Sequence, residues 1–242
     1  MQHGFFASAE HWVGATLLYG VFLTPCAYWI GLRIQRLLKG SPLANPVLIA
    51  MGLIGALLLA THTPYPTYFF GARIIHFLLG PATVALAVPL ADSLRTLRHR
   101  LATAVPAICV GSLMSAASGL WLVRWLHGSA SVAHSMAPKA ATTPIAIGIA
   151  QGVGGEPSLT AALAILGGIT VAMLLHFLPR VMAMENWPAI GVAAGTAGSG
   201  IGTARAFQLS EVAGAFAGLA LGINGLTTAV FVPLLVHLEK HW

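Results

Sequence analysis

Two basic residues stand out in the sequence because each lies in an apolar segment that proline or glycine interrupts. Lys139 belongs to the segment 137–150, and Arg205 ends the segment that begins at Gly191. A charge at membrane depth costs about 3 kcal/mol or more, so it usually faces a cavity or a partner. Cations beside hydroxyls and the amide ends of short helices suit a small carboxylate. Arginine would hold such a carboxylate with a bidentate fork, whereas lysine would act as a point charge.

Small polar residues next to the two cations complete the predicted binding site. Hydroxyl groups could orient the substrate, and an asparagine that precedes another apolar segment could add an amide group. Prolines and glycines within the interrupted segments are expected to break the helices there. The predicted substrate-binding residues are Lys139, Thr142, Thr143, Ser199, Gly200, Thr203, Arg205 and Asn45. The predicted structural breaks are Pro138, Pro144 and Gly202.

Structural roles remain open for the same two cations. Each could anchor at the headgroup level, or pair with Glu156 or Glu211, without binding any substrate. His76 and His176 lie inside apolar segments, where each either carries protons or forms ordinary hydrogen bonds. Asn224 also lies inside an apolar segment, and we expect it to form a hydrogen bond between helices.

The composition places the chain in a membrane. Of its 242 residues, 12 are basic and 6 are acidic, and 57% are hydrophobic. Soluble domains carry about a quarter of their residues as charges, so the composition argues against a soluble enzyme, a nucleic-acid-binding domain and a disordered chain. The ten histidines show no zinc-type spacing, and the six acids fall at segment ends and in loops. We therefore expect no metal, no cofactor, no nucleic-acid partner and no enzymatic activity.

The apolar segments predict an all-α polytopic membrane protein with about six full transmembrane helices plus two broken or re-entrant helical segments. Paired interrupted segments of this kind are typical of transporter binding sites. We expect one membrane domain over residues 1–242, with N-terminal helices in 12–126 and both interrupted segments in the C-terminal half, 137–238. The predicted spans are Trp12–Ile30, Pro46–Ala60, Ile74–Ala91, Leu101–Leu126, Leu159–Leu178 and Val212–Leu238, with a loop at His62–Tyr68.

Two clusters of basic residues predict the orientation of the first half of the chain. Two predicted spans separate the clusters, so both can face the cytoplasm, as the positive-inside rule requires. This arrangement places the N-terminus outside the cytoplasm, in a bacterial inner membrane. The clusters are Arg33, Arg36 and Lys39, and Arg95, Arg98 and Arg100.

Three glycines spaced four residues apart lie in the last predicted span, at Gly214, Gly218 and Gly222. Small residues at this spacing share one helix face and let two helix backbones approach closely. We therefore expect this face to form a packing seam with another helix.

Several motifs make the chain similar to a known family. The string MAPKAATTPIA at 136–146, followed by GGEPS at 154–158, resembles one signature of the LrgB/CidB family, and GTAGSGIGTAR at 195–205 resembles its second signature. Residues 45–51 and 80–90 give weaker matches. Members of the family commonly have Ser-His where this chain has Gly-Ser at 198–199. If that histidine serves proton coupling or carboxylate binding, this protein differs in its ion coupling or its substrate.

The resemblance implies two functions. The family was described as holin- and antiholin-like regulators of murein hydrolases that accompany a smaller LrgA/CidA-type membrane protein, and its relatives include the plastid glycolate/glycerate translocator and bacterial systems that move pyruvate. We therefore expect a carrier for small monocarboxylates of the pyruvate, glycolate, glycerate or lactate type that works by alternating access. The alternative is an antiholin-like membrane regulator of murein hydrolase activity and cell lysis. The expected partners are the carboxylate, the lipid bilayer, an LrgA/CidA-type protein and further copies of this chain.

Overall fold

Every element in the part of the chain that the structure describes is a helix, which confirms the predicted all-α class. The structure is a computed structural model, and it describes residues 2–38, 44–78, 81, 84, 100–181 and 186–239. The helices are α1 (Gln2–Leu37), α2 (Pro46–Ala60), α3 (Tyr65–Phe77), α4 (Leu101–Trp125), α5 (Ala130–Met136), α6 (Thr143–Val153), α7 (Pro157–Val181), α8 (Trp187–Leu209) and α9 (Glu211–Glu239).

Among the described residues, α4, α7 and α9 are long and apolar enough to cross a membrane, judged by length and composition. The apolar helices α2 and α6 are shorter, with 15 and 11 residues. An 11-residue helix is about 16 Å long, roughly half the thickness of the hydrocarbon core. The chain is thus a polytopic membrane protein in which full-length and half-length helices are combined.

The chain divides into two compact units, Met1–Ala82 and Thr83–Trp242. In the first unit, α1 packs against α2 and α3 at positions where only glycine fits. A Cβ atom on Gly20 would lie 2.5 Å from the backbone of α3, and one on Gly31 would lie 2.6 Å from the carbonyl oxygen of Pro46. These contacts hold the three helices together within this unit.

The third helix begins earlier than the sequence predicts. The predicted loop at His62–Tyr68 is wrong in its second half, and the predicted start at residue 74 is wrong as well, because α3 starts at Tyr65. Pro64 and Pro66 suggest a turn, but Pro64 is the N-cap of α3 and Pro66 lies in its first turn, where the missing N–H is not needed. Most of the predicted span Ile74–Ala91 lies outside the described residues.

In the second unit, α5 and α6 form a helical hairpin whose two ends lie at the same level. The carboxylate of Glu239, at the end of α9, pairs with Arg124 at the end of α4 at 2.6 Å and with His134 of α5 at 3.0 Å. The chain returns to this level after α6, because a Cβ on Gly155 would lie 2.9 Å from the backbone nitrogen of Ser135. We refer to this end of the helices as the Glu239 face.

The turn between α5 and α6 lies halfway along the long helices. Asn224, in the middle of α9, donates a hydrogen bond from Nδ2 to the carbonyl oxygen of Ala140 at 2.8 Å, and its Oδ1 accepts one from Ser112 in the middle of α4. The carbonyl oxygen of Lys139 lies 4.0 Å from the Cβ position of Gly167, in the middle of α7. The first interrupted segment therefore turns back at half depth.

The helix α8 is also a hairpin, folded at Ser199. Ser199 has φ 52° and ψ −142°, which is not a helical conformation. A Cβ on Gly202 would overlap the carbonyl oxygen of Ala194, although residues eight apart in one straight helix are about 12 Å apart. The arms 187–198 (α8a) and 200–209 (α8b) therefore run in opposite directions, and the second interrupted segment is re-entrant as well.

The α8 hairpin enters from the end opposite to the Glu239 face. Its tip lies beside the middle of α7, because a Cβ on Gly168 would lie 3.1 Å from the carbonyl oxygen of Gly198. Its open end lies near the starts of α4 and α9, since Asn186 and Arg100 line one cleft and α8a packs against Ala213. We refer to this end of the helices as the Arg100 face.

Glycines allow α8 and α9 to approach closely. A Cβ on Gly195 of α8a would overlap the carbonyl oxygen of Ala217 in α9. The seam predicted on α9 is confirmed at Gly214, where a Cβ would overlap the ring of Phe207, and is wrong at Gly218, which faces open space. The close contact between these helices therefore depends mainly on glycines of α8a.

Replacing Gly195 by alanine is expected to destabilise the protein by about 1–3 kcal/mol, because the added methyl group has to push two backbones apart. The matched variant Gly218→Ala adds the same group where nothing lies within 4 Å, and there the higher helix propensity of alanine should leave stability unchanged or raise it by up to about 1 kcal/mol. Unfolding of both variants in detergent, followed by circular dichroism, measures the difference. Equal effects of the two substitutions would contradict the close contact at Gly195.

Candidate functional site

Lys139 extends from the turn of the first hairpin toward α4. Its Nζ donates a hydrogen bond to the carbonyl oxygen of Ser115 at 3.0 Å and lies over Gly119, where a Cβ would come within 2.9 Å of it. Among the described residues, no carboxylate forms an ion pair with Lys139. The Glu156 side chain, suggested as a structural partner, accepts a hydrogen bond from Ser158 at 2.7 Å. The ammonium group is therefore held at half depth by a neutral carbonyl.

The other predicted residues of this turn lie around the start of α6. Thr142 is the N-cap of α6 but its side chain makes no capping hydrogen bond, and its Oγ1 is buried without a partner among the described residues. Thr143 and Pro144 form the first turn of α6, and Pro138 is fully buried in the turn. A buried hydroxyl without a partner costs roughly 1–3 kcal/mol, so Thr142 is a candidate contact for a bound polar group.

The break in the second interrupted segment falls at Ser199, and the break predicted at Gly202 is wrong. Gly202 lies within α8b, where the absence of a side chain lets the two arms of the hairpin touch. Ser199 itself adopts a positive φ, which favours glycine and is strained for other residues. Ser199 is buried, whereas Gly200 is exposed with open space around its Cβ position.

Replacing Ser199 by glycine is expected to stabilise the protein by about 1 kcal/mol or more, because glycine adopts this backbone conformation without strain. Ser210 provides the matched control, since its φ of −162° is open to any residue. Ser210→Gly should leave stability unchanged or lower it slightly, because glycine gains more freedom in the unfolded chain. Thermal unfolding in detergent compares the two variants, and destabilisation by Ser199→Gly would refute the strain at the hairpin tip.

Thr203 and Arg205 lie on α8b with partners in the protein. The Thr203 hydroxyl donates a hydrogen bond to the carbonyl oxygen of Ser199, one turn earlier, at 2.8 Å. Arg205 donates from Nη1 to Gln208 at 2.8 Å, and its Nη2 lies 3.1 Å from Nδ1 of His176 on α7. Both residues therefore tie α8b to its surroundings, and His176 is a hydrogen-bonded histidine of the protein interior.

The two cations lie at different levels of α7. The backbone of Lys139 is beside Gly167, whereas the guanidinium group of Arg205 contacts His176, nine residues further along the helix. Nine residues of α-helix are about 14 Å long. Lys139 is thus at half depth and Arg205 lies toward the Arg100 face, and the structure does not bring the two cations onto one small carboxylate.

Asn45 belongs to the first compact unit, where it serves as the N-cap of α2. Its Oδ1 accepts hydrogen bonds from the backbone nitrogens of Val47 and Leu48 at 2.9 and 3.4 Å. The acceptor of this side chain therefore stabilises the start of a helix.

A cleft of about 520 Å³ runs between α4 and α8a from the Arg100 face to half depth. Arg100 and Asn186 line its outer end, Ser115 and Thr196 line its inner end, and small apolar residues form the walls between. The Oγ1 of Thr196 is buried without a partner among the described residues. Because Ser115 is also the acceptor for Lys139, the cleft ends next to the turn of the first hairpin.

Several residues at the inner end of the cleft escape prediction from the sequence. Asn224 carries a signal, since a lone amide in an apolar span suggests a bond between helices, and its bond to Ala140 confirms that prediction. Ser112, Ser115 and Thr196 carry none, because single hydroxyl residues in apolar helices commonly bond within their own helix. Only the packing of α4 against the two hairpin tips reveals their position.

Comparisons with known proteins find similarity along nearly the whole chain. A family model described as LrgB-like matches residues 24–238. The chain is 32% identical over 220 residues to the antiholin-like protein LrgB of Bacillus subtilis (strain 168), covering 91% of this chain and 95% of that protein. It is 32% identical over 219 residues to the protein of the same name in Bacillus mycoides (strain KBAB4), covering 90% and 95%. An uncharacterized B. subtilis protein, YwbG, is 29% identical over 221 residues, covering 90% and 97%. No solved structure matches the chain.

Proposed function

Because the chain belongs to the LrgB-like family, we propose that it acts as an antiholin-like membrane protein, the role that the names of its Bacillus relatives give to those proteins. The observation that carries this proposal is 32% identity over about nine tenths of this chain and 95% of the relatives. In this role the protein restrains murein hydrolase activity and cell lysis from within a bacterial membrane, without catalysis of its own. A small LrgA/CidA-type membrane protein and further copies of the chain are its proposed partners.

A complementation experiment tests the antiholin-like role. A B. subtilis strain that lacks its own LrgB would express this chain, and the rate of autolysis would be compared with strains that carry the B. subtilis gene or an empty vector. We expect the lysis rate to fall to that of the strain with the B. subtilis gene. If lysis stays at the empty-vector rate while the chain is present in the membrane in equal amount, the proposal is wrong.

A second candidate function, supported by the two hairpins, is transport of small monocarboxylates such as pyruvate, glycolate, glycerate or lactate. Two hairpins that enter from opposite faces and end at half depth are not needed for a regulator, but they suit a carrier with a central site. At that site, Lys139 would attract the carboxylate, and the unpartnered hydroxyls of Thr142 and Thr196 would bind its oxygens. Arg205, closer to the Arg100 face, would add positive potential along the way.

Counterflow of labelled pyruvate, glycolate or lactate into proteoliposomes tests the carrier. Saturable exchange above that of empty vesicles supports transport. Release of an encapsulated dye without saturable exchange supports a holin-like action instead and rejects the carrier. No movement of any of these acids, with a positive-control carrier active in the same vesicles, rejects transport of this substrate class.

The orientation of the chain is part of the same proposal. Arg95, Arg98 and Arg100 are clustered in the sequence at the start of α4, and the positive-inside rule places such a cluster in the cytoplasm. The Arg100 face would then be cytoplasmic and the Glu239 face would be extracytoplasmic.

A further inference from the structure

The second unit contains two similar segments, 101–153 and 157–209. Each consists of a 25-residue helix, α4 or α7, followed by a helical hairpin. The hairpins begin at Ala130 and Trp187, which are 57 residues apart. The residues that precede the returning arms, Thr142 and Ser199, are also 57 residues apart. The elements of the two segments therefore correspond in order and in length.

The two segments have opposite orientations. The helix α4 runs from the Arg100 face to the Glu239 face, where Arg124 pairs with Glu239. The helix α7 starts at the Glu239 face, because the backbone nitrogen of Glu156 donates to the hydroxyl of Ser135, next to the ion pair of His134. The first hairpin opens on the Glu239 face and the second on the Arg100 face. This is the inverted-topology repeat found in many secondary transporters.

The repeat relates an open contact on one face to a closed contact on the other. The cleft lies between α4 and α8a, and the equivalent helices at the other face are α7 and α5. Ala104 lines the cleft, whereas its equivalent on α7, Thr160, is 0% exposed. At this closed contact Ser135 of α5 bonds to the Glu156 nitrogen at 2.7 Å, and His134 of α5 is held by Glu239.

We propose that the contacts of α5 with α7 and α9 are a closed gate, and that the cleft at the Arg100 face is the open entrance to the same half-depth site. In the alternative conformation, α5 separates from α7 and opens an equivalent cleft on the Glu239 face, while α8a closes against α4. This inference rests on the carrier proposed above as the second candidate function, and it assigns gating to Ser135, Glu156, His134 and Glu239. Alternating access then follows from exchange of the two halves of the repeat.

The residues along the open cleft permit this closure. The wall on α4 includes Ala104, Ala107 and Gly111, and the wall on α8a includes Ala189 and Ala193. Such small residues let two helices approach closely. At the inner end the helices already meet, because a Cβ on Gly111 would lie 3.1 Å from the methyl group of the threonine at 196. The α8a arm can therefore close by pivoting about its tip.

Labelling of single cysteines in sealed vesicles tests the gate. The full chain, with Cys26 and Cys109 replaced by serine, receives either Ala107→Cys, in the open cleft, or Thr160→Cys, behind the closed gate. A membrane-impermeant maleimide is applied to right-side-out and inside-out vesicles.

Each reporter is combined with a gate variant or a lock. Glu239→Gln removes the charge that holds α5, and a disulfide between Ser135→Cys and Glu156→Cys locks α5 on α7. Ala220→Cys, fully buried in α9, reports unfolding.

We expect Glu239→Gln to raise labelling at 160 at least threefold from the Glu239 face and to lower labelling at 107 from the Arg100 face. The disulfide should abolish labelling at 160 and leave labelling at 107 at its highest rate. If neither reporter responds to the release or the lock, or if both increase together while Ala220→Cys stays unlabelled, the gate is wrong. If Ala220→Cys becomes labelled, Ser135→Ala replaces Glu239→Gln and is judged by the same two outcomes.

Labelling and transport can fail separately. Opposite changes at the two reporters without carboxylate uptake would uphold the gate and reject the carrier. Saturable uptake with fixed labelling would uphold the carrier and reject the gate.

Discussion

Replacing Asn224 by alanine is expected to lower the free energy of unfolding by about 2–4 kcal/mol, among the largest effects of any single substitution in this chain. The side chain is fully buried and joins three parts of the second unit: it donates to the Ala140 carbonyl and accepts from the hydroxyls of Ser112 and Thr228. Alanine leaves these groups without a partner at half depth, where water does not replace the bonds. Detergent or SDS titration followed by circular dichroism measures the loss.

Asn186→Ala is the matched control for Asn224. Asn186 caps α8 by accepting a hydrogen bond from the backbone nitrogen of Ala189 at 3.2 Å, but it is exposed. Its loss should cost about 1 kcal/mol, because water hydrates the freed amide. A cost at 224 no greater than that at 186 would mean that the turn of the first hairpin does not depend on the asparagine.

Composition and segment length are enough to predict much of the fold. The low charge and the apolar segments predict the long helices α4, α7 and α9, because a membrane requires about 20 apolar residues for each crossing. The interrupted segments predict both hairpins, since proline and glycine at membrane depth need a protein-lined interior. The start of α3 is missed because Pro64 and Pro66 favour a turn and a helix start equally well by composition alone.

The candidate site is less predictable than the fold because it depends on which elements touch. Lys139 and Arg205 look equivalent in the sequence, yet one lies at the turn of a hairpin and the other lies along a returning arm. Their separation follows from where Ser199 folds α8, and a serine at that point gives no signal of a fold. The inverted repeat is likewise hidden, since Lys139 corresponds to Thr196 and only the order and direction of the helices are shared.

Replacing Lys139 by methionine is expected to reduce carboxylate exchange by about 10- to 100-fold, the effect of losing one hydrogen bond to a charged group. Stability should stay unchanged or increase. In the described part of the chain the ammonium group is held only by the Ser115 carbonyl, and a charge in that position costs free energy that an apolar side chain of similar length avoids. Uptake and thermal unfolding are measured on the same preparation.

The combination of the two measurements decides what Lys139 does. A lysine that serves only packing would lose stability with methionine and keep its transport rate. Loss of exchange with unchanged or higher stability indicates a group whose cost is tolerated because it meets an anion. Lys139→Arg is the matched control, because it keeps the charge but places a larger group over Gly119, where the Cβ position is already 2.9 Å from Nζ. We expect it to recover part of the exchange at some cost in stability. Full exchange with methionine at this position would remove Lys139 from the site, whatever the stability shows.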